Sequence, residues 1–256
     1  MQKEAWKYSM IAILLSALGI LIRWLQCQII FDPETGLPTP HAVISAVVVV
    51  LLILIPAVLW FASGRLPKNA SPEEPEEALA EPNREVGLLL AVFGCIALLG
   101  AILLFFTAGS TFLRITALLG ILAAPAMALL LHLPRWGGFG AFLSVTPVVF
   151  FCVWLVCLYK ENAVDPVVWA YGVQVLAIAA CLLAGFRLCG YLFYRQNARK
   201  AVFACALAMA YCLTVLMDDT STAARILFAG WGVGYGVMSW VLVRNFVPPT
   251  EEESSY

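Results

Sequence analysis

The chain has 256 residues, 62% of them apolar and 12% charged, with a net charge of −1 and a mean hydropathy of +0.92. Soluble domains are about half apolar and a quarter charged, so a single aqueous domain is excluded, because one core could not hide this much apolar surface. No basic stripe or aromatic-basic interleaving is present, which excludes nucleic-acid binding.

Eight continuous apolar runs carry the fold. About 20 apolar residues cross the hydrocarbon core of a bilayer, and runs that do not alternate are helices rather than barrel strands. The expected architecture is an all-α polytopic membrane helix bundle. Its spans are 8–31, 41–63, 86–107, 112–133, 140–159, 167–193, 201–217 and 222–243, within one membrane domain covering 1–256.

The first run follows Lys3 and Lys7 and is too long for a signal-peptide core, so it reads as a retained span. It holds Arg23, with Gln26 one turn on. At 1.5 Å per residue, Arg23 lies ~10 Å below the outer end of its helix. The second run contains Pro56. Residues 64–85 follow, with four prolines and six glutamates. That composition predicts an extended, solvated acidic linker. The third run holds no charged residue. The fourth begins at Ser110-Thr111, which can cap a helix, and carries Arg114 in its first turn, with Pro125 further on.

Pro147 interrupts the fifth run. The sixth holds Arg187 toward its cytoplasmic end, where a long side chain can snorkel to the headgroups. The seventh, 201–217, is the shortest. The eighth opens on Ser221-Thr222 with Arg225 after them, and then interleaves Gly230, Gly232, Gly234 and Gly236 with Trp231 and Tyr235. Glycines four apart make two small faces for close helix packing. The last residues, 245–256, are an acidic tail.

Basic residues sort by side. Lys3, Lys7, Arg65, Lys68, Arg84, Arg135, Arg195, Arg199, Lys200 and Arg244 flank one side, and only Lys160 flanks the other. The positive-inside rule then places both termini, the linker and the tail in the cytoplasm, and a plasma or bacterial cytoplasmic membrane is the expected location. Trp6, Tyr8, Trp60, Trp136, Tyr194 and Trp240 on the inner side, with Trp154, Tyr159 and Trp169 on the outer, read as headgroup belts. Ala91-Val-Phe-Gly-Cys95 resembles Ala201-Val-Phe-Ala-Cys205, and Ser110-Thr-Phe-Leu-Arg-Ile115 resembles Ser221-Thr-Ala-Ala-Arg-Ile226. A four-plus-four parallel internal repeat would produce both matches.

Chemistry has few places to sit. The acids outside the cytoplasmic segments, Asp32, Glu34, Glu161, Asp165, Asp218 and Asp219, fall in outer loops or at helix ends. No carboxylate lies within a span, whereas proton-coupled transport usually requires one. His41 and His132 fall on opposite faces, and no zinc, hydrolase or phosphate-loop motif is present. The eight cysteines read as small packing residues, Cys27 being nearest the outer surface. No catalytic residue, metal site or cofactor is expected.

Two functions stay open. In the first, Arg23, Gln26, Arg114 and Arg225 converge on an outward-facing site for a small anionic solute or a lipid headgroup, near two helix N-termini, with Trp231 and Tyr235 lining a cavity. The protein is then a transporter or solute-binding membrane subunit. Otherwise each arginine snorkels or pairs with Asp32, Asp218 or Asp219. In the second, the chain is a non-catalytic scaffold, assembly factor or sensor. It contacts membrane lipids and a membrane or cytoplasmic protein partner through helix packing and its acidic segments.

Overall fold

A computed structural model describes residues 2–29, 42–66, 72, 74–163 and 168–246. Asp32, Glu34, His41, Lys68, Asp165 and most of the tail lie outside the described residues. All regular structure among those described is helical. Eight of the helices are long and apolar enough to cross a membrane, consistent with an integral membrane protein. They are α1 (Gln2–Ile29), α2 (Ala42–Gly64), α4 (Arg84–Thr107), α5 (Thr111–Ala128), α6 (Gly137–Asn162), α7 (Val168–Leu192), α8 (Ala198–Val215) and α9 (Thr222–Arg244). A ninth, α3 (Pro75–Ala78), is a single turn.

The fourth long helix ends earlier than the expected 112–133. α5 stops at Ala128, and a 3-10 turn at Leu133–Trp136 leads into α6. Gly137 makes that junction with φ of 54°, a left-handed conformation that glycine adopts without steric cost. Ser110 and Ser221 cap α5 and α9 by accepting from Leu113 N and Ala224 N. Asn197 does the same for α8 from Lys200 N.

Six helices close a ring in the order α4, α5, α6, α7, α8, α9, with α9 returning against α4. The α1–α2 hairpin stands outside the ring, packed mainly on α8, with α1 also touching α9. Burial follows from this. α8 is 78% buried over its most apolar window and α1 only 28%. α8 is also the least hydropathic span. Lipid tails are as apolar as leucine, so hydrophobicity cannot drive helices together, and small residues that allow close packing do. Ala201, Ala204, Cys205, Ala208 and Cys212 supply them on α8, all fully buried. Large side chains such as Phe61 and Phe106 are turned outward. The α4–α9 contact, the most extensive in the bundle, has no equivalent of similar extent between α5 and α8, so the packing does not follow a two-fold repeat.

The linker departs from its extended expectation. Pro75, Ala78 and Leu79 are buried, while Glu74, Glu76 and Glu77 are exposed. Spacing of three and four puts the apolar residues on one side of a helical turn, so the glutamates keep their water while Leu79 enters the bundle. Asn245 Nδ2 donates to the carbonyls of Ala78 and Ala80 at 3.1 and 2.9 Å, and Arg199 Nε donates to Leu66 O. The ends of α2, α7 and α9 and the start of α8 therefore meet the linker at one end of the bundle.

Two aromatic expectations also change. Trp154 and Tyr8 are buried within the bundle and take no part in a headgroup belt. Trp6, Trp60, Trp136, Tyr159 and Tyr194 are exposed.

Candidate functional site

A guanidinium inside an apolar helix needs a partner, because burying an unpaired ion costs far more than burying a paired one. Arg23 and Gln26 lie three residues apart on one face of α1 and are both almost wholly buried. Beyond the last turn of α8 the chain folds inward. Asp218 N donates to Val215 O at 2.9 Å, and Thr220 N donates to Asp218 O at 2.9 Å. That tight turn carries the Asp218 carboxylate into the protein, where the residue is 1% exposed.

Arg23 Nε donates to Asp218 Oδ1, and Arg23 Nη1 donates to Gln26 Oε1 at 2.5 Å. Arg225 Nη2 donates to the Asp218 main-chain carbonyl at 2.8 Å, and its head stands 4.0 Å from the exposed Asp219. Gln174 of α7 flanks the carboxylate. Cys27 Sγ donates a long bond of 3.6 Å to Met217 O. One turn thus gathers polar groups from α1, α7 and α9. Burial pushes the Asp218 carboxyl upward, and the Arg23 guanidinium, Gln174 and Arg225 pull it down by less.

Of the predicted site residues, Arg23, Gln26 and Arg225 meet. Arg114 does not join them. It is exposed on α5, whose main neighbours are α4 and α6, and among the described residues no hydrogen bond or ion pair links it to the cluster. Asp218 is the centre, and it is buried rather than sitting in a solvated loop. In the sequence Asp32, Asp218 and Asp219 are all candidate partners for Arg23, and hydropathy has no means of choosing between them.

Trp231 and Tyr235 lie elsewhere, in the interior of the ring. They continue an aromatic column with Phe150, Phe151, Trp154 and Phe228. Trp154 stacks on Phe228 at 4.8 Å, and Phe151 meets Trp231 edge-on at 5.0 Å. The cavity left beside Trp231 and Tyr235 has a volume of about 10 Å3. A larger groove of about 280 Å3 lies at the opposite end from Asp218, between Pro75, Pro134, Gly137 and Tyr194. No group of three metal-ligating side chains is assembled among the described residues.

A second polar tie joins the hairpin to the ring. Pro56 has no N–H, so it leaves the Leu52 carbonyl without its helical donor. Tyr211 Oη of α8 donates to that carbonyl at 2.9 Å. Tyr211→Phe is expected to cost about 1–3 kcal/mol, the usual penalty for stranding a buried polar group. In a Pro56→Ala background, where the restored main-chain N–H can take the carbonyl, the same change should cost clearly less. Unfolding of the four proteins in mixed micelles measures this coupling. Pro147 is handled locally, since Thr146 Oγ1 donates to the freed Leu143 carbonyl at 2.7 Å.

No family model matches the chain, and no curated protein or solved structure matches it.

Proposed function

We propose that this integral membrane protein is a non-catalytic scaffold or assembly factor, acting through helix contacts and through its linker end, and not a conduit for solute. The observation that carries this reading is the filled interior of the ring. A solute path needs a polar or hydrated space near the midplane, and here an aromatic column occupies that position, with a cavity of only about 10 Å3 beside Trp231 and Tyr235.

The arginine cluster supports the same reading. An anion site needs positive charge in excess, yet Arg23 is paired with Asp218, and Arg225, which donates to the Asp218 carbonyl, stands 4.0 Å from the Asp219 carboxylate, so two carboxylates face two guanidiniums. The linker end supplies the working surface. Its acids Glu74, Glu76 and Glu77 are exposed on a turn held by Asn245, next to the 280 Å3 groove. By the positive-inside rule this end faces the cytoplasm, so a basic cytoplasmic segment or the cytoplasmic end of another membrane protein is the fitting partner. Lipid covers the outward apolar faces.

The transporter reading, with an anionic small molecule or headgroup at the arginines, makes the opposite prediction about water. Cys181 of α7 and Cys205 and Cys212 of α8 are fully buried, with the Cys181 and Cys212 thiols 3.2 Å apart, and serve as native probes. In sealed membranes a small cationic methanethiosulfonate reagent is expected to leave all three unmodified, and to modify them after denaturation in SDS, as read by peptide mass spectrometry. Modification of any of the three in native membranes would reveal a hydrated path and favour transport.

A further inference from the structure

Among the described residues, two polar groups of the aromatic column lack hydrogen-bond partners. Trp231 Nε1 and Tyr235 Oη are buried with no hydrogen-bonding group in reach, and each residue is 1% exposed. Native proteins seldom leave such groups orphaned, and an ordered water is the usual remedy. Both residues line the small interior cavity, together with Ser144, Gly185 and Cys189. The Tyr235 hydroxyl stands at the Gly185 wall, so close that a β-carbon on Gly185 would lie 3.2 Å from it.

We infer that this cavity binds a single water molecule, held by Trp231, Tyr235 and Ser144, which satisfies the buried polar groups of α6 and α9 inside the ring. The volume of about 10 Å3 reaches the lower bound of the space that one water requires. The bonding also balances. The indole N–H and the phenol O–H donate to the two lone pairs of the water. Ser144 Oγ donates its only hydrogen to Ala141 O at 2.7 Å, so its oxygen is free to accept from the water. It also lies 3.3 Å from Cys189 Sγ, where the thiol can donate. Glycine at 185 keeps the space open. The water stands independently of the scaffold reading, because one bound molecule is not a path.

The competing arrangement needs no water. Phe151 meets Trp231 edge-on at 5.0 Å and 73°, a geometry that lets an indole N–H point at a ring face. The two are separated with full-length protein, deuterated and 15N-labelled at the indoles, in lipid nanodiscs. The Trp231 indole resonance is assigned by its loss in Trp231→Phe, or by its shift in Tyr235→Phe if the first variant does not fold. A dipolar cross-peak between the Trp231 indole proton and water is expected in the parent. It should disappear in Gly185→Ala, whose added methyl takes the space, and weaken in Tyr235→Phe. An upfield indole proton with no water cross-peak in the parent would overturn the inference in favour of the Phe151 ring. A cross-peak unchanged in Gly185→Ala would overturn it too, because the water would then lie outside this cavity.

Discussion

Replacing Arg23 with leucine is expected to destabilise the bundle by about 3–5 kcal/mol, the range found when one partner of a buried ion pair is removed. The side chains of Arg23 and Asp218 are 3% and 0% exposed, so the loss strands a carboxylate where water cannot reach it. Arg225 cannot replace the guanidinium without giving up its own bond, which goes to the main-chain carbonyl of the same residue. Asp218→Leu should cost a similar amount by removing the carboxylate that balances the buried Arg23 charge. The double variant Arg23→Leu with Asp218→Leu should recover most of the stability, because well-packed apolar pairs are often as stable as the ion pairs they replace. Reversible unfolding in mixed micelles reads all three. A cost below about 1 kcal/mol for Arg23→Leu would mean that the arginine behaves as an exposed, snorkelling side chain, and the cluster would lose its standing as the tie between α1 and the ring. A thermal-shift screen against small anions and lipids, run on the parent and on Arg23→Leu, bears on function: a ligand that stabilises only the parent would return the site to the solute-binding reading.

The eight long helices were legible because each is a continuous apolar run, and bilayer physics leaves such a run few alternatives. What hydropathy does not encode is which helices touch. Arg23 advertised its need for a partner, since an ion in a span is costly, yet the partner lies 195 residues away on a turn whose inward fold depends on three-dimensional packing. Pro56 likewise announced a stranded carbonyl without naming Tyr211, which sits on a helix distant in sequence. Trp154 misled for a related reason. A tryptophan near a span end is as consistent with a headgroup belt as with an interior stack, and only its neighbours Phe150 and Phe228 decide. In the linker, the glutamates dominated the composition and masked the spacing of Pro75, Ala78 and Leu79, which marks a turn with one apolar side.

The glycines of α9 offer the sharpest test of how the ring is held together. Gly230 faces α4, where an added β-carbon would lie 2.7 Å from the main-chain nitrogen of Ala97 and 3.0 Å from its Cα. Backbone cannot yield locally, so Gly230→Ala must push two helices apart along the most extensive contact in the protein. Overpacking of this kind typically costs about 1–3 kcal/mol, and Gly230→Leu should prevent assembly of the bundle. Gly236 faces α8, where its β-carbon would run into Met209 Sδ, and Gly234 would meet Met127 Sδ at 3.0 Å. Thioether side chains are flexible and can swing aside. Alanine also gains about 1 kcal/mol over glycine in helix propensity, so Gly234→Ala and Gly236→Ala should be neutral or stabilising. Gly232 falls between, since its β-carbon would meet Cys212 Cβ at 2.6 Å, close to the backbone of α8. The expected order of stability is therefore Gly236→Ala and Gly234→Ala above Gly232→Ala, with Gly230→Ala lowest. If Gly230→Ala proved as stable as Gly236→Ala, α4 and α9 would not be in backbone contact. The glycines would then serve mobility beside an openable interior, and the filled ring on which the scaffold reading depends would be only one of its states.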